Sequence, residues 1–162
     1  MVVGIVVITF AWLAWGRLGV TRPTSGQPAP AFSLQDFNGT TVRLEDFRGR
    51  PLVINSWAAW CPFCVQELKD FATVQQEFRD QVAIVAINRG EPAQTVRRFT
   101  DQLGVTDALV LLQDPQDSFY RQIGGFAMPE TIFVDAQGKV VWHKRGTLNL
   151  TQMRELIRQL LR

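Results

Sequence analysis

Apolar positions fall in short blocks separated by turn residues, and their spacing changes from period two to period 3.6 and back along the chain. Ala31-Phe32-Ser33-Leu34 and Thr41-Val42-Arg43-Leu44 read as two short strands, and Asn38-Gly39 between them is a hairpin turn signal. Glu45 to Gly49 reads as a short turn of helix ending at glycine. Leu52 to Trp57 is an apolar run of the kind found in a strand buried on both faces. From Cys61 to Arg79 the period becomes helical. Cys64, Leu68, Phe71, Ala72 and Phe78 share one face, Asp70 and Glu77 lie opposite, and Glu67 sits at the edge of the apolar face.

Beyond that helix the alternation repeats. Val82 to Asn88 predicts a central strand, and Pro92 to Leu103 a helix with proline in its first turn and Gly104 at its end. Ala108 to Leu112 predicts a third apolar strand, and Asp117 to Ile123 a short helix closed by Gly124-Gly125. Thr131 to Val134 predicts a strand that turns through Asp135-Ala136-Gln137-Gly138 into a partner at Lys139 to His143. Thr151 to Leu161 is an amphipathic helix for which Asn149 is the cap. Strands alternating with helices, followed by a hairpin and a last helix, indicate an α/β fold whose central sheet is partly parallel.

The N-terminal segment differs in kind. Met1 to Gly16 carries no charged side chain and is dominated by Val, Ile, Trp and Phe. As a helix, Met1 to Thr21 would reach about 31 Å, enough for a hydrocarbon core of about 30 Å if Arg17 reaches back to the headgroups. Trp12 and Trp15 suit the interfacial belt. A cleavable signal peptide fits less well, for want of a basic leading region and of a well-placed cleavage site. Residues 1–21 are therefore expected to anchor the chain in a membrane, residues 22–30 to form a linker rich in Pro, Gly, Ser and Thr, and residues 31–162 to form one domain. Arg17 and Arg22 follow the span, which the positive-inside rule would place on the cytoplasmic side.

Composition adds little beyond exclusions. With 162 residues, 46% hydrophobic, 20% charged and a net charge of +2, the chain has room for one ordinary core. Its basic residues are scattered, which argues against a nucleic-acid surface, and no glycine-rich phosphate loop of the usual spacing is present.

The chemistry is concentrated in Trp60-Cys61-Pro62-Phe63-Cys64, which holds the only two cysteines of the chain. They lie between the Leu52–Trp57 strand and the helix, so the first cysteine faces the unpaired N–H groups of a helix start. The second lies one turn on, within reach for a disulfide. A structural zinc site needs four ligands, and this pair plus His143 supplies at most three, so no metal is expected. A bridge closing so short a loop constrains the unfolded chain little, so a purely structural disulfide is a weak explanation. Redox chemistry fits the strand–CxxC–helix context best.

A helix start contributes about 1 kcal/mol, which would move a thiol from about 8.5 to only about 7.8. A strongly activated thiolate would need further backbone donors from the active-site turn. His143 reads as an exposed strand residue, and Tyr120 and Trp142 as packing residues.

Taken together, the WCxxC strand–helix unit, the later strand preceded by Met128-Pro129-Glu130-Thr131, and the closing hairpin and helix resemble the thioredoxin fold. The apolar N-terminus, the Phe32–Leu44 hairpin, Asn55-Ser56-Trp57-Ala58-Ala59-Trp60-Cys61, Glu67 and the helix-containing insert before Met128-Pro129 resemble the TlpA/ResA/CcmG group of membrane-anchored thiol–disulfide oxidoreductases. The resemblance covers roughly residues 28 to 162. It implies a thioredoxin-like domain with a central mixed sheet flanked by helices, an N-terminal β-hairpin extension and that insert.

The resemblance also implies Cys61 as attacking thiol, exposed at the helix start, and Cys64 as the more buried resolving thiol. Glu67 would act as a proton acceptor, with a cis Pro129 lying against the dithiol. Met128 would pair with an extended substrate segment, while Trp60, Pro62 and Phe63 border the substrate site. No cofactor beyond the Cys61–Cys64 disulfide is implied. The expected partners are protein disulfides outside the cytoplasm, typically apocytochrome c, and a transmembrane or other thiol reductant that supplies electrons.

Lys69 stands where many members carry proline, which predicts a straighter helix. Peroxiredoxins share the outline of Ala31 to Trp57, but their P-x-x-x-T-x-x-C pattern is not matched by Ser56 to Trp60. The remaining alternatives are a disulfide-forming oxidant of the same fold and a CxxC module for a soft metal such as Cu(I).

Overall fold

The computed structural model describes residues 23–162. The expected anchor at residues 1–21 lies outside the described residues. Among the described residues no helix is long and apolar enough to cross a membrane.

A seven-stranded sheet runs in the order β2-β1-β5-β4-β3-β6-β7. Its strands are β1 (Ser33–Gln35), β2 (Thr41–Arg43), β3 (Leu52–Trp57), β4 (Ala83–Arg89), β5 (Val110–Asp114), β6 (Glu130–Val134) and β7 (Val140–Arg145). The central β3, β4 and β5 are parallel, whereas β6 is antiparallel to β3 and β7 to β6. The β1–β2 hairpin extends the other edge through an antiparallel bridge to β5. Asp36 closes its turn by accepting the Asn38 and Thr40 N–H groups, both at 2.8 Å, while Gly39 takes the positive φ of 79° that the turn requires.

The helices are α1 (Pro62–Phe78), α2 (Ala93–Leu103), α3 (Ser118–Gln122) and α4 (Leu150–Leu160). α1 is continuous across Lys69. Side chains of β3 alternate between the two faces of the sheet, as a strand must. Val53 and Trp57 join Cys64, Leu68 and Phe71 of α1, Val96 of α2, and Met153 and Ile157 of α4 in one core. Leu52 and Ile54 join Phe32, Phe47, Leu112, Phe119 and Ile132 in the other. Asn55 and Glu67 therefore meet on the α1 side of the sheet, and Glu130, two residues before Ile132, lies on the far side.

Most element limits shift by one or two residues from the sequence reading, and two differences have a structural cause. Residues 26–29, read as part of a linker, are fixed to the start of β7: Gly26 N–H donates to Val140 O, Ala29 N–H to Gly138 O, and Val140 N–H to Gln27 O, at 2.8 to 2.9 Å. β5 begins later than expected because parallel pairing sets Val110 beside Val85. It carries Gln113 and Asp114 into the ladder, where Asp114 accepts from the Phe119 N–H and the Ser118 hydroxyl at the start of α3. Polar residues with that task carry no apolar strand signal.

Candidate active site

β3 ends at Trp57, and the chain turns through Ala58 before α1, with Cys61 N–H donating to Ala58 O at 3.1 Å. The Glu91 carboxylate fixes this turn by accepting both Ala59 N–H and the Asn88 side-chain amide at 2.7 Å. Cys61 is the N-cap of α1 and Pro62 its first residue, where a missing N–H costs nothing. Cys61 and Cys64 form a disulfide with their Cα atoms 5.4 Å apart. Cys64 N–H also donates to Cys61 Sγ at 3.2 Å, the type of backbone donor that stabilises a thiolate.

The first cysteine departs from its expected exposure. Cys61 is not exposed: it is only 2% accessible, and Cys64 is fully buried. In the disulfide, Cys61 Sγ both bonds Cys64 and receives that residue's N–H, which holds it against the first turn of α1. The exposed groups are its neighbours, Trp60 at 62% and Phe63 at 65%, with Pro62 also exposed.

Glu67 lies one turn beyond Cys64 on α1 and is 1% accessible. Its Oε1 accepts the Leu148 N–H at 2.8 Å, and its Oε2 accepts the Asn55 side-chain amide at 3.0 Å. The same Asn55 nitrogen reaches Thr131 Oγ1 at 3.0 Å, so β3, β6 and the loop before α4 all converge on this carboxyl. Burial pushes Glu67 up from 4.5 to about 7; the Leu148 and Asn55 donors oppose the rise, and the Asp70 carboxylate adds to it. A solvated helix glutamate is thereby excluded.

The Met128–Pro129 peptide is cis, as the resemblance implied. β6 starts immediately after it, and the Ser56–Glu130 register sets this loop at the same end of the sheet as the CxxC turn. Met128 packs against both cores. Phe126, 74% exposed, stands at the same end of the sheet, with the Arg145 guanidinium 4.8 Å from its ring centroid. The sequence reading passed over Phe126, although an aromatic between Gly124-Gly125 and a proline was the available signal. It also misplaced His143, whose side chain is 5% accessible and whose Nε2 donates to Glu130 Oε2 at 2.6 Å. The reason is long-range: the 126–127 loop anchors on Glu130 and encloses the pair. Tyr120 and Trp142 pack as expected, Trp142 edge-on against Phe133.

Residues 25–143 match the AhpC/TSA family. The chain belongs to that family. Within it, the chain is 32% identical over 136 residues to the thiol–disulfide oxidoreductase ResA of Geobacillus thermodenitrificans, covering 83% of this chain and 77% of that one. It is 34% identical over 126 residues to ResA of Bacillus subtilis, covering 77% and 69%. It also resembles the thiol:disulfide interchange protein DsbE of Xylella fastidiosa, at 28% identity over 151 residues with 90% and 74% covered.

Among solved structures, DsbF from MTB, in its mixed oxidised and reduced forms, superposes with a TM-score of 0.74 at 25% identity, over 80% of this chain and 94% of that one. The thioredoxin-family interchange protein of Chlorobium tepidum TLS gives 0.73 at 23% identity, over 89% and 100%, and speaks to the fold alone. This AhpC/TSA member is thus a thiol–disulfide oxidoreductase of the thioredoxin-like fold, with its CxxC pair at Cys61 and Cys64.

Proposed function

We propose that the chain is a membrane-tethered reductant of disulfides in extracytoplasmic proteins, acting in the maturation of c-type cytochromes. In this reading the reduced Cys61 thiolate attacks one sulfur of a substrate disulfide, forming a mixed disulfide and releasing one substrate thiolate. Cys64 then gives up its proton and attacks Cys61 Sγ. The second substrate thiolate leaves, and the enzyme ends as the Cys61–Cys64 disulfide. Two electrons have passed to the substrate, so a thiol reductant must return two.

The observation that carries this reading is the sealed carboxyl of Glu67 one turn beyond Cys64. Pushed up to about 7, it can accept the Cys64 proton near neutral pH and return it when the enzyme is reduced again. The substrate segment lies extended along Met128, whose N–H and C=O have no hydrogen-bond partner among the described residues. Trp60, Pro62, Phe63 and Phe126 receive its apolar side chains. The apolar residues 1–21 are the tether, and an oxidising compartment is where such disulfides persist, which opposes the cytoplasmic placement that Arg17 and Arg22 alone would favour.

Substituting Cys64 by Ala and presenting a disulfide-bonded protein tests the order of attack. A mixed disulfide should accumulate at Cys61. Failure to trap any adduct there, with adducts on a Cys61→Ala variant instead, would reverse the two roles.

A further inference from the structure

Glu130 is a fully buried carboxylate that the dithiol chemistry does not use. Burying such a charge is costly unless donors surround it. Here they converge from three directions. Phe126 N–H and Ala127 N–H reach Oε1 at 2.8 and 2.9 Å, His143 Nε2 reaches Oε2 at 2.6 Å, and Arg145 Nε stands 3.8 Å from Oε2. A carboxylate only accepts, so His143 is the donor. The other ring nitrogen, Nδ1, is buried without a partner, so the single histidine of the chain has Glu130 as its one hydrogen-bond partner among the described residues.

Two further bonds hold the same loop. Tyr120 O–H donates to Ala127 O at 2.7 Å, and Gly146 N–H donates to Pro129 O at 2.8 Å. The backbone on both sides of Met128 is therefore engaged, while the Met128 N–H and C=O have no partner among the described residues. We propose that Glu130 and His143 are a positioning pair, a clamp that sets the Phe126–Pro129 loop so that Met128 can pair with the backbone of a protein substrate. The inference rests on the reading of Met128 as the substrate platform. The clamp touches no reacting sulfur. It lies on the sheet face opposite Asn55, Thr131 and Glu67, because neighbouring strand residues point to opposite sides. Loosening it should weaken docking of an extended chain and leave the sulfur chemistry alone.

The test uses the full chain, reduced, in detergent micelles, with two disulfides that both release nitrothiobenzoate. One is a peptide whose cysteine carries that group, and the other is the small symmetric reagent without a peptide. His143→Phe keeps a flat aromatic ring, somewhat larger than imidazole, and removes the donor, and should raise KM for the peptide about three- to tenfold, the range for losing one net hydrogen bond. The rate with the small reagent should stay within about twofold on the same argument. His143→Gln, which keeps a donor, should restore most of the peptide KM. Should His143→Phe fail to fold, Glu130→Gln carries the comparison. It keeps an acceptor for the loop N–H groups, and a smaller rise in the same direction is expected.

Equal losses on both disulfides, or unchanged peptide KM in the folded variant, would overturn the clamp. A series of peptides N-methylated at successive positions separates this from failure of the platform. If the wild type is insensitive at every position, the Met128 reading fails and the clamp with it. If the wild type is sensitive and His143→Phe keeps its KM, the clamp alone fails.

Discussion

Replacing Glu67 by Gln keeps the side-chain shape and removes a carboxyl that the fold encloses. The group rises from 4.5 to about 7, chiefly through burial. At 1.36 kcal/mol per pH unit this corresponds to about 3 kcal/mol. The folded protein binds this proton more tightly than the unfolded chain, so stability contributed by the protonated form is fully present below about pH 4.5. It is lost as the pH rises through about 7. The variant has no such proton to lose. Relative to the wild type it should therefore gain stability between pH 4 and pH 8, by up to about 3 kcal/mol, with most of the change centred between the two pKa values. Urea unfolding of both proteins at a series of pH values in the same detergent measures this directly. The same substitution should remove an inflection near pH 7 from the rate of disulfide exchange. A stability difference that does not change from pH 4 to pH 8 would refute the argument, because it would mean that Glu67 is solvated or permanently ionised in the fold.

Other consequences follow from local geometry. Gly125→Ala would place a methyl group 2.4 Å from the Tyr120 ring, which is itself held by the stacked Arg89 guanidinium and by its hydroxyl bond to Ala127. Overpacking of this kind costs about 1–3 kcal/mol, and thermal unfolding should register it together with weaker binding of peptide substrates. Asn149→Ala removes the N-cap that accepts from Gln152 N–H at the start of α4 and should cost about 1 kcal/mol, readable by urea unfolding. Titrating thiolate absorbance of the reduced protein should give a Cys61 pKa moderately below the usual thiol value. A result below about 5 would indicate more backbone donors than the single Cys64 N–H found here.

The parts of this fold that were legible in the sequence are those set by neighbours in the chain. The β3 limits, Leu52 to Trp57, follow from an apolar run, the end of α2 from Gly104, and the start of α4 from Asn149, whose cap the structure contains. The dithiol is likewise local, since Cys61 and Cys64 are separated by three positions. What could not be read depends on residues far apart. Glu67 stands at the edge of its helix's apolar face, and only Asn55 and Leu148, the latter 81 positions away, turn that edge into an interior site. His143 lies on a polar-looking strand, Val140–Arg145, and its burial comes from Glu130 and the loop anchored on it. Cys61 illustrates a different limit: its burial comes from the folded-back disulfide and the turn around it, and the position of a cysteine at a helix start does not by itself record that.

The reduction potential of the Cys61–Cys64 couple tests the proposed direction of electron flow most directly. It is measured on the full chain in detergent, equilibrated in thiol redox buffers. The account predicts a value near or below about −270 mV, the region of a reductant that needs an upstream electron supply. A value above about −180 mV would make the protein an oxidant or isomerase and contradict the proposed function, while leaving the fold and the dithiol as described.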